Sequence, residues 1–271
     1  MVVSGETFQI MHVSDVHGRP GVDFLHEARD IAEAIQQEGF EPYFLVVSGD
    51  LGYKGSDQER GSQFVSAVAR LLKIPCRRIV CCPGNHDIQL TQKEQPFQNY
   101  MKAAFGVLEE STRVSVSPVT CYQCEGVNLF IINSCYHLDH RYGKIHAEEL
   151  RKKIKEGDSS GPRIAVVHHH SIPVFDGDTS AIVNAYEFLS ILVDSGFDLV
   201  LHGHHHIALS LTVGNRTKLV GVGSVNYPPE RNLNNQFNIL EFGVRVCRFR
   251  YVADASGRGI LGAWKSEVTP W

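Results

Sequence analysis

The chain has 271 residues, 43% hydrophobic and 21% charged, which suits a folded globule and excludes a disordered or fibrous chain. Its formal net charge is −4, so composition offers no broad basic face for nucleic acid or for an anionic membrane. The seven cysteines are an odd count, several lie in apolar runs (Cys81, Cys82, Cys135, Cys247), and together they read as reduced, buried thiols of a cytoplasmic protein.

The N-terminus "MVVSGETFQIMHVSD" has no basic segment followed by a long apolar run, so no secretory signal is expected there. No stretch approaches the roughly 18 apolar residues of a membrane helix. Residues 8–15, "FQIMHVSD", read as a buried strand ending in Asp15. Leu25, Ala28, Ile31, Ala32 and Ile35 then recur at helical spacing over 24–38, with Gly39 as the stop. "YFLVVSGD" (43–50) is the next strand, 58–72 the next helix, and "RIVCC" (78–82) a third strand. This β-α-β-α-β order predicts a right-handed parallel sheet covered on both faces.

The middle is less regular. Residues 95–105 read as helix, 113–119 and 127–134 as strands, and 145–155 as helix before "RIAVVHHH". The lone C-x-x-C of Cys121 and Cys124 lacks the second pair that a structural zinc site needs. A helix over 180–195 leads into "DLVLHGHHH". From about residue 207 the chain is β-rich, with "IALSLTV", "TKLVGVG", "QFNILEFG" and "VRVCRFRYV" broken by Gly, Asn and Pro, which reads as a mainly antiparallel second sheet. The final "LGAWKSEVTPW" reads as a cap over the site or a partner contact. With no repeat and no linker, one domain over 1–271 is the simplest organisation.

Polar residues follow the strands with a pattern. Asp15 and His17 follow the first, Asp50 the second, and Asn85 and His86 the third, inside "CCPGNHDI". His168 follows "RIAVV", and His204 and His206 follow "DLVL". The carboxyl ends of parallel strands lie along one edge, where ligands bind, so five strands would deliver oxygen and nitrogen donors to one crevice. Asp, His and Asn without Cys suit Mn, Fe or Zn. Two carboxylates and four imidazoles exceed the needs of one tetrahedral ion and suit two ions, which together clamp the oxygens of an in-line displacement. Two divalent ions against Asp15 and Asp50 leave two positive charges. A bridging hydroxide lowers that to one and leaves a site that attracts a phosphate ester.

"DVH" (15–17), "GD" (49–50), "GNHD" (84–87), "HH" (168–169) and "GHHH" (203–206), in this order, resemble the signature of the calcineurin-like metallophosphoesterases. The resemblance implies a four-layer αββα sandwich of two mixed β-sheets, with a dinuclear metal site at the carboxyl ends of the strands. It implies one ion on Asp15, His17 and His206, the other on Asn85, His168 and His204, and Asp50 bridging. His169 is the alternative to His168 within the triple-His run. His202 and His205 are expected to support the site from the strand end. His86 is implied to hydrogen-bond the substrate phosphate and protonate the leaving oxygen, and Asp87 to act beside it by orienting the loop. The short motifs look most like the cyclic-nucleotide and glycerophosphodiester phosphodiesterase branch. The Ser/Thr phosphatase branch carries G-D-x-V-D-R-G where this chain reads "GDLGYKG". Tyr53 stands where some small phosphodiesterases read their substrate, and Arg19 is a candidate phosphate contact. The expected reaction is hydrolysis of small phosphodiesters by a metal-bridging hydroxide. Phosphomonoesters or nucleic acid are alternative substrates of the same centre, and a non-catalytic binding scaffold is the least favoured reading.

Overall fold

Residues 9–13 (QIMHV) are buried at every position after the first, the pattern of a central strand covered on both faces. In the computed structural model, which describes residues 7–18, 20–21, 23–53, 55–92, 94–108, 113–157, 160–226, 234–252 and 263–271, they form β1 (Gln9–Val13). Helix α1 (Phe24–Gln37) starts at Asp23, whose carboxylate accepts the backbone N–H groups of Leu25 and His26. It buries Ala28, Ile31, Ala32 and Ile35. β2 (Phe44–Ser48), α2 (Gln58–Leu71) and β3 (Ile79–Cys82) follow as the apolar pattern predicts. α3 (Gln98–Leu108) packs on α2, and a two-residue β4 (Arg113–Val114) pairs parallel with β3.

The chain then begins a second sheet with β5 (Val119–Cys124) and β6 (Val127–Ile132). α4 (Ala147–Glu156), β7 (Arg163–Val167), α5 (Ala185–Asp194), β8 (Leu199–His202), β9 (Leu209–Val213) and β10 (Thr217–Gly221) complete it. Its order is β5-β6-β7-β8-β10-β9, with β6, β7, β8 and β10 parallel. α5 is shorter than the expected 180–195 because Asn184 spends its amide on both backbone groups of Ile145, fixing the turn before the helix. Cys121 and Cys124 sit three apart on β5 and pack into different clusters, one on each face of the sheet.

The expectation of a second sheet made from the C-terminal third is corrected. β11 (Gln236–Glu241) returns to lie antiparallel beside β1, and β12 (Arg245–Val252) and β13 (Ala263–Pro270) extend the first sheet, in the order β13-β12-β11-β1-β2-β3-β4. The tail therefore pairs along β12 as an edge strand and does not cap the site. Turn chemistry alone cannot say which free edge a returning strand takes; the half-empty edge of β1 decides it. The two mixed sheets pack face to face over Ile10, Phe44, Val46, Leu129, Val166 and Leu201. α1, α2 and α3 cover the outside of the first sheet, and α4 and α5 the outside of the second. This is the expected αββα sandwich.

Candidate metal centre

The carboxyl ends of β1, β2, β3, β7 and β8 meet on one edge of the sandwich, and each delivers donors there. The backbone is strained where it does so. Nine described non-glycine residues have positive φ, and five of them are Asp15 (53°), His17 (46°), Asp50 (56°), His204 (78°) and His206 (55°). Such conformations cost of order 1–3 kcal/mol each for a residue with a side chain and persist where the surroundings over-determine them. Close approach demands glycine at two points. A Cβ on Gly84 would lie 2.1 Å from Asp50 Oδ1, and one on Gly49 (φ 107°) would lie 2.2 Å from His168 Nδ1.

Two groups of donor atoms result. In the first, His17 Nε2 lies 3.3 Å from His206 Nε2, and Asp15 Oδ1 lies 3.2 Å from His206 Nε2 and 3.7 Å from His17 Nε2. In the second, His168 Nε2 lies 2.8 Å from Asn85 Oδ1, 3.1 Å from His204 Nδ1 and 3.4 Å from Asp50 Oδ2. Oxygens of Asp15 and Asp50 also fall within 4.8 Å of each other and of a His168 nitrogen, which places the two groups side by side. Ligands about 2.0–2.2 Å from one ion, at angles of about 90–110°, stand about 2.9–3.6 Å apart, which is close to these separations. The ring tautomers agree. His168 Nδ1 donates to the Ser48 carbonyl at 2.9 Å and His17 Nδ1 to the Gly52 carbonyl at 3.3 Å, so each presents a bare Nε2 to its group. Asp15 Oδ1 is buried and has no hydrogen-bond donor. The donor set fits two cations.

Charge at the site points the same way. Burial opposes ionisation of Asp15, but His206, His168 and His17 outweigh it and hold its carboxyl well below the usual range. Burial, then the charges of Asp15 and Asp87, push Asp50 well above it. Burial pushes His17 down to about 3 and lowers His168 and His204, so the imidazoles stay neutral, the form that binds metal.

The triple-His run divides its work. His168 joins the second group. His169 Nδ1 pairs with Ser134 Oγ at 2.8 Å, and His170 Nε2 donates to Asp178 at 2.7 Å. His205 Nε2 also meets Asp178, at 3.2 Å, and Ser180 Oγ at 2.7 Å. Nothing in the sequence marks Asp178, one loop aspartate among several, as the partner of two histidines. His86 sends its backbone N–H to Asp50 Oδ1 at 2.9 Å, and its ring stacks on Tyr53, 5.5 Å between centroids and 6° from parallel. Burial, followed by the neighbouring His168, lowers the His86 ring to about 4. Asp87 accepts backbone N–H groups of Gly84 (2.9 Å), Gly52 (3.0 Å) and Leu51 (3.3 Å), which ties the GNHD turn to the loop after β2. Its carboxylate thereby holds the backbone of both loops together beneath His86. Asn85 Nδ2 donates to the His140 carbonyl at 3.2 Å, which turns Oδ1, like the bare His168 Nε2, towards the second group as a free donor atom for metal. Arg19 lies outside the described residues.

His12, just below the centre on β1, pairs with Ser48 Oγ at 2.9 Å and is wholly buried. Burial, then His202, push its pKa from 6.5 down to about 3. The unfolded chain therefore takes up this proton first as pH falls. Stability is full above about pH 6.5 and is lost below it, by about 1.4 kcal/mol at pH 5.5 for this one group. Metal-free protein is expected to melt several degrees lower at pH 5.5 than at pH 7.5, and His12→Gln to flatten the dependence. An unchanged or higher Tm at pH 5.5 would contradict this account of the buried imidazoles.

The fold and the paired donor sets define a class, and the sequence comparisons supply its family. The chain belongs to the calcineurin-like phosphoesterase family, whose model matches residues 8–208. No curated protein matches the sequence. Among solved structures it resembles a dimetal phosphatase from Danio rerio, with 12% identity, a TM-score of 0.56, and coverage of 89% of this chain and 95% of that one. The protein TT1561 of Thermus thermophilus superposes with a TM-score of 0.55 at 13% identity, covering 88% of this chain and 95% of that one. The purple acid phosphatase PPD1 of yellow lupin gives a TM-score of 0.58 at 13% identity over 96% of this chain and 53% of its own. At such identities the likeness is one of fold. Among the described residues no helix is long and apolar enough to cross a membrane.

Proposed function

We propose that the protein is a dinuclear-metal-dependent phosphoesterase that prefers small phosphodiesters. The observation that carries this reading is the pair of donor groups, spaced for metal ligation and built from imidazoles and Asn85 around Asp15 and Asp50. Asp15, His17 and His206 would hold one cation, Asn85, His168 and His204 the other, and Asp50 would serve both. Mn, Fe or Zn suits this set. Such ions lower the pKa of a water and offset charge on the phosphoryl oxygens. The chain's own residues do the rest. Asp87 fixes the GNHD turn so that His86 lies over the centre, and Tyr53 holds the imidazole by stacking. Neutral at pH 7, His86 donates a ring N–H to a phosphoryl or departing oxygen. We read 1–271 as one domain because β11–β13 complete the sheet begun by β1, and as cytoplasmic because all seven cysteines are free thiols.

Metal reconstitution followed by a substrate panel tests the function. Saturating Mn should raise Tm, since ligand at a hundredfold over Kd adds about 2.7 kcal/mol. Two divalent cations against two carboxylates leave a small positive excess, which suits a diester monoanion plus the nucleophile better than a monoester dianion. kcat/KM near neutral pH is therefore expected to be higher for bis-p-nitrophenyl phosphate than for p-nitrophenyl phosphate. A clear preference for the monoester would turn the reading to a phosphatase, and preferred cleavage of single-stranded DNA would turn it to a nuclease.

A further inference from the structure

Arg248 is 8% exposed, and its Nε has no hydrogen-bond partner. Glu267 on β13 stands opposite it in register, but at an exposed position, and a buried guanidinium N–H without an acceptor is costly, a cost that a bound anion would relieve. Strand register locates it. Arg248 on β12 pairs with Asn238 on β11, which pairs with His12 on β1. On the same strands Val246, Leu240 and Ile10 belong to the core between the sheets, so by the two-residue period Arg248 and Arg250 face the second sheet. There Asn238 Nδ2 reaches the Gly221 carbonyl of β10 at 3.3 Å, and β10 pairs with β9, whose Ser210 Oγ is also buried without a partner.

This cationic face lies beside the metal centre. Arg250 pairs with Gln236, whose backbone N–H bonds to the Ser224 carbonyl, and Ser224 is bridged to Ser14, the residue before Asp15. From β1 to β12 is two strand spacings, about 10 Å, and an arginine side chain covers much of that span. Lys265 on β13 pairs with Arg250 on the same face. The one carboxylate among these residues is Glu267, 3.4 Å from Arg250 and 60% exposed at its side chain. Asn238 Oδ1, Gln236 Oε1 and Arg250 Nε lack partners as well. Three cations and one carboxylate leave this face with an excess of positive charge beside several unsatisfied polar atoms.

We infer that Arg248 and Arg250 form a subsite for a second anionic group of the substrate, a phosphate carried on one of the ester's alcohols. The inference rests on the phosphodiesterase reading and narrows its substrate class to diesters that bear a further phosphate. The centre would engage the scissile phosphate while the two arginines engage the distal one through charge-assisted hydrogen bonds.

Calorimetry on the Mn-loaded protein with thymidine 5′-phosphate and thymidine 3′,5′-bisphosphate tests this. The bisphosphate is expected to bind about tenfold or more tightly, as one charge-assisted contact provides. Arg248→Gln should bring the ratio of the two affinities towards one. Glu267→Gln, at an exposed position with little consequence for folding, should tighten the bisphosphate by removing a competitor for Arg250. Without ligand, Arg248→Met should melt at the wild-type temperature or above, because a buried guanidinium with an unsatisfied Nε is gone, and the bisphosphate should raise its Tm less than that of the wild type. Equal affinity of the wild type for the two nucleotides, or a preference that survives in Arg248→Gln, overturns the inference. Bis-p-nitrophenyl phosphate turnover by the same preparation reports separately on the proposed function. If turnover is absent while the bisphosphate preference is present, the hydrolase reading fails and the anion subsite stands.

Discussion

Asp50→Asn is expected to empty the metal centre and remove essentially all hydrolysis. Asp50 is buried and reaches the second donor group through Oδ2, while Oδ1 accepts the backbone N–H of His86. Asparagine keeps the oxygen that accepts that N–H, so the loop should stay in place. What it removes is the negative charge that two adjacent cations need. The effect on stability should have the opposite sign in the absence of metal. Burial and the charges of Asp15 and Asp87 already push the Asp50 carboxyl well above its usual range, so neutralising it relieves a cost. Metal-free Asp50→Asn should therefore melt at or above metal-free wild type, and only the wild type should gain stability from Mn. Metal analysis with melting curves, with and without Mn, measures both effects. A variant that keeps two ions and normal turnover would remove Asp50 from the role of shared ligand.

His86→Ala should do the reverse: retain metal and lose rate. The contact of His86 with Asp50 is through its backbone, which alanine preserves. The ring lies outside both donor groups, between Tyr53 and His17, with centroids 5.5 Å and 5.2 Å away. Removing it should cost on the order of 10²–10⁴ in kcat, the range for loss of a general acid or an oxyanion donor. The loss should grow as the leaving group worsens, because p-nitrophenolate departs without help and an alkoxide does not. Turnover of p-nitrophenyl and alkyl esters on preparations of measured metal content tests this. If metal content falls with rate, His86 is a ligand; if the loss is the same for both leaving groups, the ring acts on the phosphoryl oxygens alone.

The sequence alone determined a good deal, and the reason is local. Each candidate ligand directly follows a strand whose apolar run is unmistakable, as with "HVSD" before Val16 and "VVSGD" before Leu51, and a parallel strand leaves no choice about which end its last residue reaches. Hence the β-α-β-α-β half and the five donor-bearing ends were legible without coordinates, and the ordered motifs carried the resemblance that implied the αββα sandwich. Other features were decided only by tertiary structure, because they depend on partners far along the chain. His168 stands out from His169 and His170 because its Nδ1 meets the Ser48 carbonyl, 120 residues earlier, while Ser134 and Asp178 claim the other two rings. Asp87 sits beside His86 in sequence, yet its carboxylate is taken by the backbone of the neighbouring loop. β11 and β12 read as strands of a second sheet and the tail as a cap or partner contact, yet all three strands joined the first sheet, since strand periodicity specifies a pleat but not the edge it will fill. Nothing in "VRVCRFRYV" marks Arg248; it is buried only because that face of β12 lies against the second sheet.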